Sequence, residues 1–121
     1  MSVTPEILKK RTFEFALNTL KTIDELKKTT ANEIMGKQVM RSATSVGANY
    51  RAACKAKSSA DFINKLKIVE EESDESVYWL ELIKAYNKIE NKNFEVLLSE
   101  SRELERIFAA SAITAKRNNK R

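Results

Sequence analysis

The side chains in this sequence best placed for chemistry are carboxylates. Glu70, Glu71, Glu72, Asp74 and Glu75 crowd the middle of one helical stretch, and Arg41, Ser45 and Asn49 on the preceding stretch are spaced to face them. Such a grouping has two readings. One is a buried carboxylate poised for acid–base work, a use to which helical bundles do put their interiors. The other is a polar layer that fixes helix register, as a buried Asn does in a coiled coil. Chemistry needs partners that this chain lacks. It has no histidine and one cysteine, Cys54, which removes the commonest general base and the commonest metal ligand together. Zinc sites and Cys-His or Ser-His-Asp catalysis are therefore excluded within one subunit. The Glu-x-x-His pattern of ferritin-like di-metal bundles cannot be built, and no glycine-rich phosphate loop is present. Arg41, Ser45, Asn49, Glu72 and Glu75 are accordingly read as a structural polar layer. No catalytic residue, metal ligand or cofactor site is assigned, and a carboxylate-dependent enzyme is kept as the remote alternative.

The basic residues suggest a different chemistry. Lys and Arg number 22 against 17 acids, for a formal net charge of +5. In a bundle of alternating helices, the start of the first and the ends of the second and fourth share one end. That end collects Lys9, Lys10, Arg11, Lys55, Lys57, Lys116, Arg117, Lys120 and Arg121. Clustered cations from separate segments attract nucleic acid phosphates without reading sequence. The alternative is a merely solvated face. No aromatic ladder interleaves the lysines, so base stacking is not suggested.

Helices must position these groups, and the chain marks four. Thr4 followed by Pro5 and Glu6 is a strong helix start. Phe13, Ala16, Leu17, Leu20 and Ile23 form its expected inward stripe, with Leu8, Phe15 and Leu26 on another face. Thr30-Ala31-Asn32-Glu33 reads as a capping box opening the second helix, where Val39, Ala43, Val46 and Tyr50 make an apolar stripe beside Ser42, Ser45 and Asn49. Gly47 interrupts it at a cost of about 1 kcal/mol and marks a kink or a close crossing. Ser58 or Ser59 caps the third helix, whose seam is Phe62, Leu66, Val69, Ser73, Ser76, Leu80 and Ile83. Asn93 is the expected cap of the fourth, which carries Leu97, Ser101, Leu104, Phe108, Ser111 and Ala115 inward. The expected helices span about 5–28, 31–56, 59–90 and 94–116, with a disordered basic tail at 117–121. Short links make neighbours antiparallel: one all-α domain, an up-down-up-down four-helix bundle over 1–121.

Some of these residues carry a resemblance. Arg41-Ser42-Ala43, Ser45 and Val46-Gly47-Ala48-Asn49-Tyr50-Arg51 are followed by Ser59-Ala60-Asp61-Phe62-Ile63, then Glu72, Asp74-Glu75 and Tyr78-Trp79-Leu80-Glu81-Leu82. This pattern, running from about Ile7 to Lys116, resembles the small four-helix-bundle proteins encoded by intervening sequences in bacterial 23S ribosomal RNA genes. That superfamily includes the accessory variability proteins of diversity-generating retroelements. Many relatives carry Glu where this chain has Ala52, and proline where it has Gly47. The resemblance implies a four-helix bundle assembled as a homopentameric ring, with no defined biochemical activity.

Two Gly and one Pro are too few for an all-β fold, and no apolar run is long enough to span a membrane. One unpaired cysteine and no signal segment lead us to expect a cytoplasmic protein. Phe15, Leu26, Trp79 and Tyr86 lie off the main seams and are taken as a subunit interface. The expected function is that of a non-enzymatic oligomer binding structured RNA, DNA or an RNA–protein complex through its basic end. The alternative is a scaffold that recruits a protein partner such as a reverse transcriptase.

Overall fold

A computed structural model describes residues 3–120 and contains four α-helices with no strand among them. They are α1 (Pro5–Asp24), α2 (Thr30–Cys54), α3 (Ser59–Asn87) and α4 (Lys92–Asn119). Each start has a side-chain cap in extended backbone. Thr4 accepts from Ile7 N, Thr29 from Asn32 N, Ser58 from Asp61 N and Asn91 from Phe94 N. Thr29 and Asn91 thus replace Thr30 and Asn93 as caps. α3 ends on Lys88 in the left-handed conformation (φ 54°), which lets both Lys88 N and Ile89 N reach the Lys84 carbonyl. The first three helices stop two to four residues short of the expected ends. The fourth instead continues to Asn119, so Arg117 to Asn119 are helical rather than a disordered tail.

Successive helices pack antiparallel. Both glycines of α2 lie on α1, where a Cβ on Gly36 would come 2.8 Å from Ile23 Cγ2 and one on Gly47 would come 3.2 Å from Thr12 Oγ1. These are two close crossings eleven residues apart on each helix. α2 meets α3 through Ser42–Ser76 and Asn32–Asn87, and α3 meets α4 through Glu81–Arg102 and Lys84–Glu95. α4 returns to α1 through Arg11–Glu100. One core results, built from Val39, Val46, Tyr50, Leu66, Val69, Leu80, Ile83, Phe94, Leu104 and Phe108 among others.

The inward face of α1 differs from the expected one. It is Leu8, Thr12, Phe15 and Thr19, whereas Phe13 is 65% and Leu17 40% exposed. Two threonines occupy core positions because each hydroxyl donates to the carbonyl four residues back, Leu8 O and Phe15 O, at 2.8 Å. A satisfied hydroxyl leaves a methyl to pack.

Candidate nucleic-acid interface

The polar grouping in the middle of the bundle is a surface feature. Arg41 bridges Glu72 (2.9 Å) and Glu75, but its side chain is 52% exposed. Asn49 does not reach α3 at all; its amide donates to Ser45 Oγ and Ser45 O, one turn back on its own helix. The expectation of a buried layer made by Arg41, Ser45, Asn49, Glu72 and Glu75 is therefore corrected. A long guanidinium reaches its carboxylates over the outside of the α2–α3 seam. The group that does cross the interior is smaller: Ser76 donates to Ser42 Oγ at 2.9 Å, both residues fully buried. Neither pair resembles a reaction centre, and the described residues hold no group of three or more Cys, Asp or Glu able to hold a metal ion.

The interface residues inferred for self-association need the same revision. Phe15 is only 2% exposed and belongs to the subunit's own core, while Leu26 and Trp79 pack half-buried against it. Tyr86 alone of the four is open to solvent, at 56%. Val3, Ile7, Ile34, Ile68, Val96 and Ile113 are exposed apolar side chains, as are two sets, Phe13 and Leu17 on α1, and Tyr78, Leu82 and Tyr86 on α3. Each set falls at four-residue steps, one side of its helix.

At the end formed by the starts of α1 and α3 and the ends of α2 and α4, the cations converge. Lys10, Lys55, Lys57, Lys116, Arg117 and Lys120 are exposed and make no ion pair among the described residues. Lys9 stands 3.9 Å from Glu6, a loose surface pair. Arg11 does not belong to the free set. It donates through Nε and Nη2 to both oxygens of Glu100, at 2.9 and 2.6 Å, and this bidentate bond also raises its pKa. Arg121 lies outside the described residues. Asp61, an acid at this end besides Glu6, is occupied: it accepts from Lys65 Nζ and from Lys57 N, and these contacts, Lys65 first, hold its carboxyl below the usual range.

The four helix ends leave a cleft of about 830 Å³ between them. Lys9 and Lys57 stand on its rim, and Phe62, Ile63 and Ala115 contribute apolar wall. Tyr50 reaches it from the core, its ring 5.3 Å from Phe108. Burial, then the adjacent Cys54 thiol, push the Tyr50 phenol above its usual range, so it stays a neutral donor. Tyr50 and Phe62 are aromatics among the lysines that linear sequence did not reveal. They sit far from most of those lysines along the chain, and only the antiparallel packing brings them together.

Residues 6–110 match the 23S rRNA-intervening sequence proteins. The chain belongs to that family. It is also similar to a solved structure, a protein of unknown function from the S23 ribosomal protein family of Bacteroides thetaiotaomicron, at 35% identity. That match covers 89% of this chain and 96% of the other, with a TM-score of 0.79. No curated protein matches. Neither match indicates an enzymatic family. Among the described residues no helix of this family member is long and apolar enough to cross a membrane.

Proposed function

We propose that this protein is a non-enzymatic, self-associating helical bundle that binds structured RNA, alone or in an RNA–protein complex, through its basic end. The observation that carries the reading is the convergence of Lys10 on α1, Lys55 and Lys57 in the α2–α3 link, and Lys116, Arg117 and Lys120 at the end of α4 onto one end, without ion partners among the described residues. Free cations release counterions from a phosphate backbone, whereas paired ones such as Arg11 contribute little. The opposite end differs in charge balance: Lys84 is paired with Glu95, and its other lysines, though unpaired among the described residues, are accompanied by Asp24, Glu25, Glu33 and Glu90. Membership of a family named for 23S rRNA intervening sequences agrees with an RNA partner.

Self-association rests on the two apolar stripes. α1 and α3 do not pack on each other within the subunit, so their outward faces are different surfaces. Different surfaces meet head to tail, and a head-to-tail contact that closes makes a ring. The family resemblance implies a ring of five members, in which the formal charge would be about +25, five times that of one chain.

Filter binding of RNA at a series of salt concentrations tests the reading. Affinity should fall steeply with salt and vary little with sequence. Deleting Lys116 to Arg121 together with Lys55→Gln and Lys57→Gln should flatten the slope and leave the helical content intact. Failure of the intact protein to retain RNA at about 50 mM salt sinks the proposal.

A further inference from the structure

We infer that the cleft between the four helix ends is a subsite for one unstacked nucleotide of a single-stranded nucleic acid, an inference that rests on reading the basic end as a nucleic-acid surface. The wall chemistry is divided as a nucleotide is divided. Lys9 and Lys57 stand where a phosphate would lie, against one carboxylate on the rim, Glu6.

Phe62 and Ile63, both half-buried, contribute apolar wall for a base. Asn118 and Asn119 supply amides able both to donate and to accept at its edge. The Tyr50 phenol, a buried donor, has a thiol as its neighbour, a weak acceptor that a base oxygen or nitrogen would outmatch. At about 830 Å³ the recess lies within the range of small-ligand sites. A duplex keeps its bases stacked and paired and can present only its phosphates here. An unpaired nucleotide can turn its base into the recess, which is how proteins commonly read single strands.

The test is fluorescence anisotropy with two labelled RNAs, a short blunt duplex and the same duplex carrying a single-stranded overhang. The wild type should bind the overhang form roughly 5- to 100-fold more tightly, the range a stacked base supplies. Ser59→Trp fills the mouth of the cleft from an exposed position without changing charge. It should abolish the preference and leave affinity for the blunt duplex unchanged, while Ser59→Ala keeps the preference. Equal affinity of the wild type for the two RNAs overturns the inference, as does a preference that survives Ser59→Trp. Blunt-duplex affinity reports the basic surface and the ratio reports the cleft. A protein that retains duplex but shows no ratio has therefore lost only the subsite, and one that retains neither RNA has lost both readings.

Discussion

Asn32 and Asn87 form a reciprocal amide pair, each Nδ2 donating to the other's Oδ1 at 2.9 Å. Their remaining donors are used locally, Asn32 to Lys27 O and Asn87 to Ile83 O. The pair therefore ties the link after α1, the start of α2 and the last turn of α3 into one unit at the end opposite the basic cleft. Asn87→Ala leaves the Asn32 amide, only 4% exposed, short of a partner. Thermal or urea unfolding should show a loss of about 1–3 kcal/mol. Replacing both by Ala should cost less than the two single changes added together, because no amide is then stranded.

Gly47 illustrates how a helix-weakening residue is kept by packing. Alanine there would gain about 1 kcal/mol of helix propensity. Its Cβ would, however, stand 3.2 and 3.3 Å from Oγ1 and Cβ of Thr12, a fully buried side chain, and 3.5 Å from the Thr12 backbone. Overpacking at a rigid site typically costs about 1–3 kcal/mol. Gly47→Ala should therefore destabilise by up to about 2 kcal/mol net. Thr12→Ala in the same chain should recover most of that loss, measured as a double-mutant cycle. A stabilising single substitution would mean that α1 can slide away without cost.

Arg41 shows where stability does not come from. Its two carboxylate contacts are conspicuous, yet the guanidinium is half in water, where ion pairs contribute little. Arg41→Ala should lower stability by at most about 1 kcal/mol in denaturant unfolding. A loss of about 3–5 kcal/mol would be that of a buried pair and would contradict the exposure seen here.

How much of this was legible in the chain depended on the kind of residue. The seam of α3, Leu66 to Ile83 with its two serines, and the α2 stripe of Val39, Ala43, Val46 and Tyr50 follow directly from periodicity, and all are buried. The face of α1 did not, because Thr12 and Thr19 count as polar until their hydroxyls are seen bonding back along their own helix. Read as outward-facing, they rotate the helix, which places Phe13 in the core and Phe15 at an interface. Arg41 was misplaced for a related reason: helical spacing gives the direction of a Cβ, but not how far a long side chain reaches around a seam. The cleft was invisible, since its walls come from all four helices and cohere only once the helix ends meet.

Asp61 gives a pH-dependent prediction. Lys65, then the Lys57 backbone N–H, hold its carboxyl below its ordinary value near 4. A group whose folded pKa is depressed stabilises the fold above its unfolded pKa, and that contribution is lost as pH falls through the folded value. The start of α3 should therefore be firm at neutral pH and loosen on acidification below about 4. Amide protection factors at Phe62 and Ile63, with the intrinsic pH dependence of exchange divided out, should follow the Asp61 titration. Asp61→Asn should make these factors independent of pH in that window. An Asp61 carboxyl titrating at or above its ordinary value would remove the basis of the prediction.

The outward stripes of α1 and α3 yield a test that distinguishes kinds of contact as well as detecting one. Phe13→Glu places a charge in the α1 stripe and Leu82→Glu one in the α3 stripe, both at exposed positions that leave the subunit core alone. In a head-to-tail assembly each variant loses one of two complementary surfaces, and neither can pair with itself. Each should therefore sediment as a monomer of 13.8 kDa. Mixed together they should form a heterodimer and nothing larger, because the intact α3 face of Phe13→Glu meets the intact α1 face of Leu82→Glu. A like-with-like contact behaves otherwise. If α1 stripes paired with α1 stripes, Leu82→Glu alone would still dimerise and mixing would add nothing. Wild-type protein that stays monomeric at micromolar concentration would show that the stripes are not an interface between copies at all. Analytical ultracentrifugation of the wild type, the two variants and their mixture separates these outcomes.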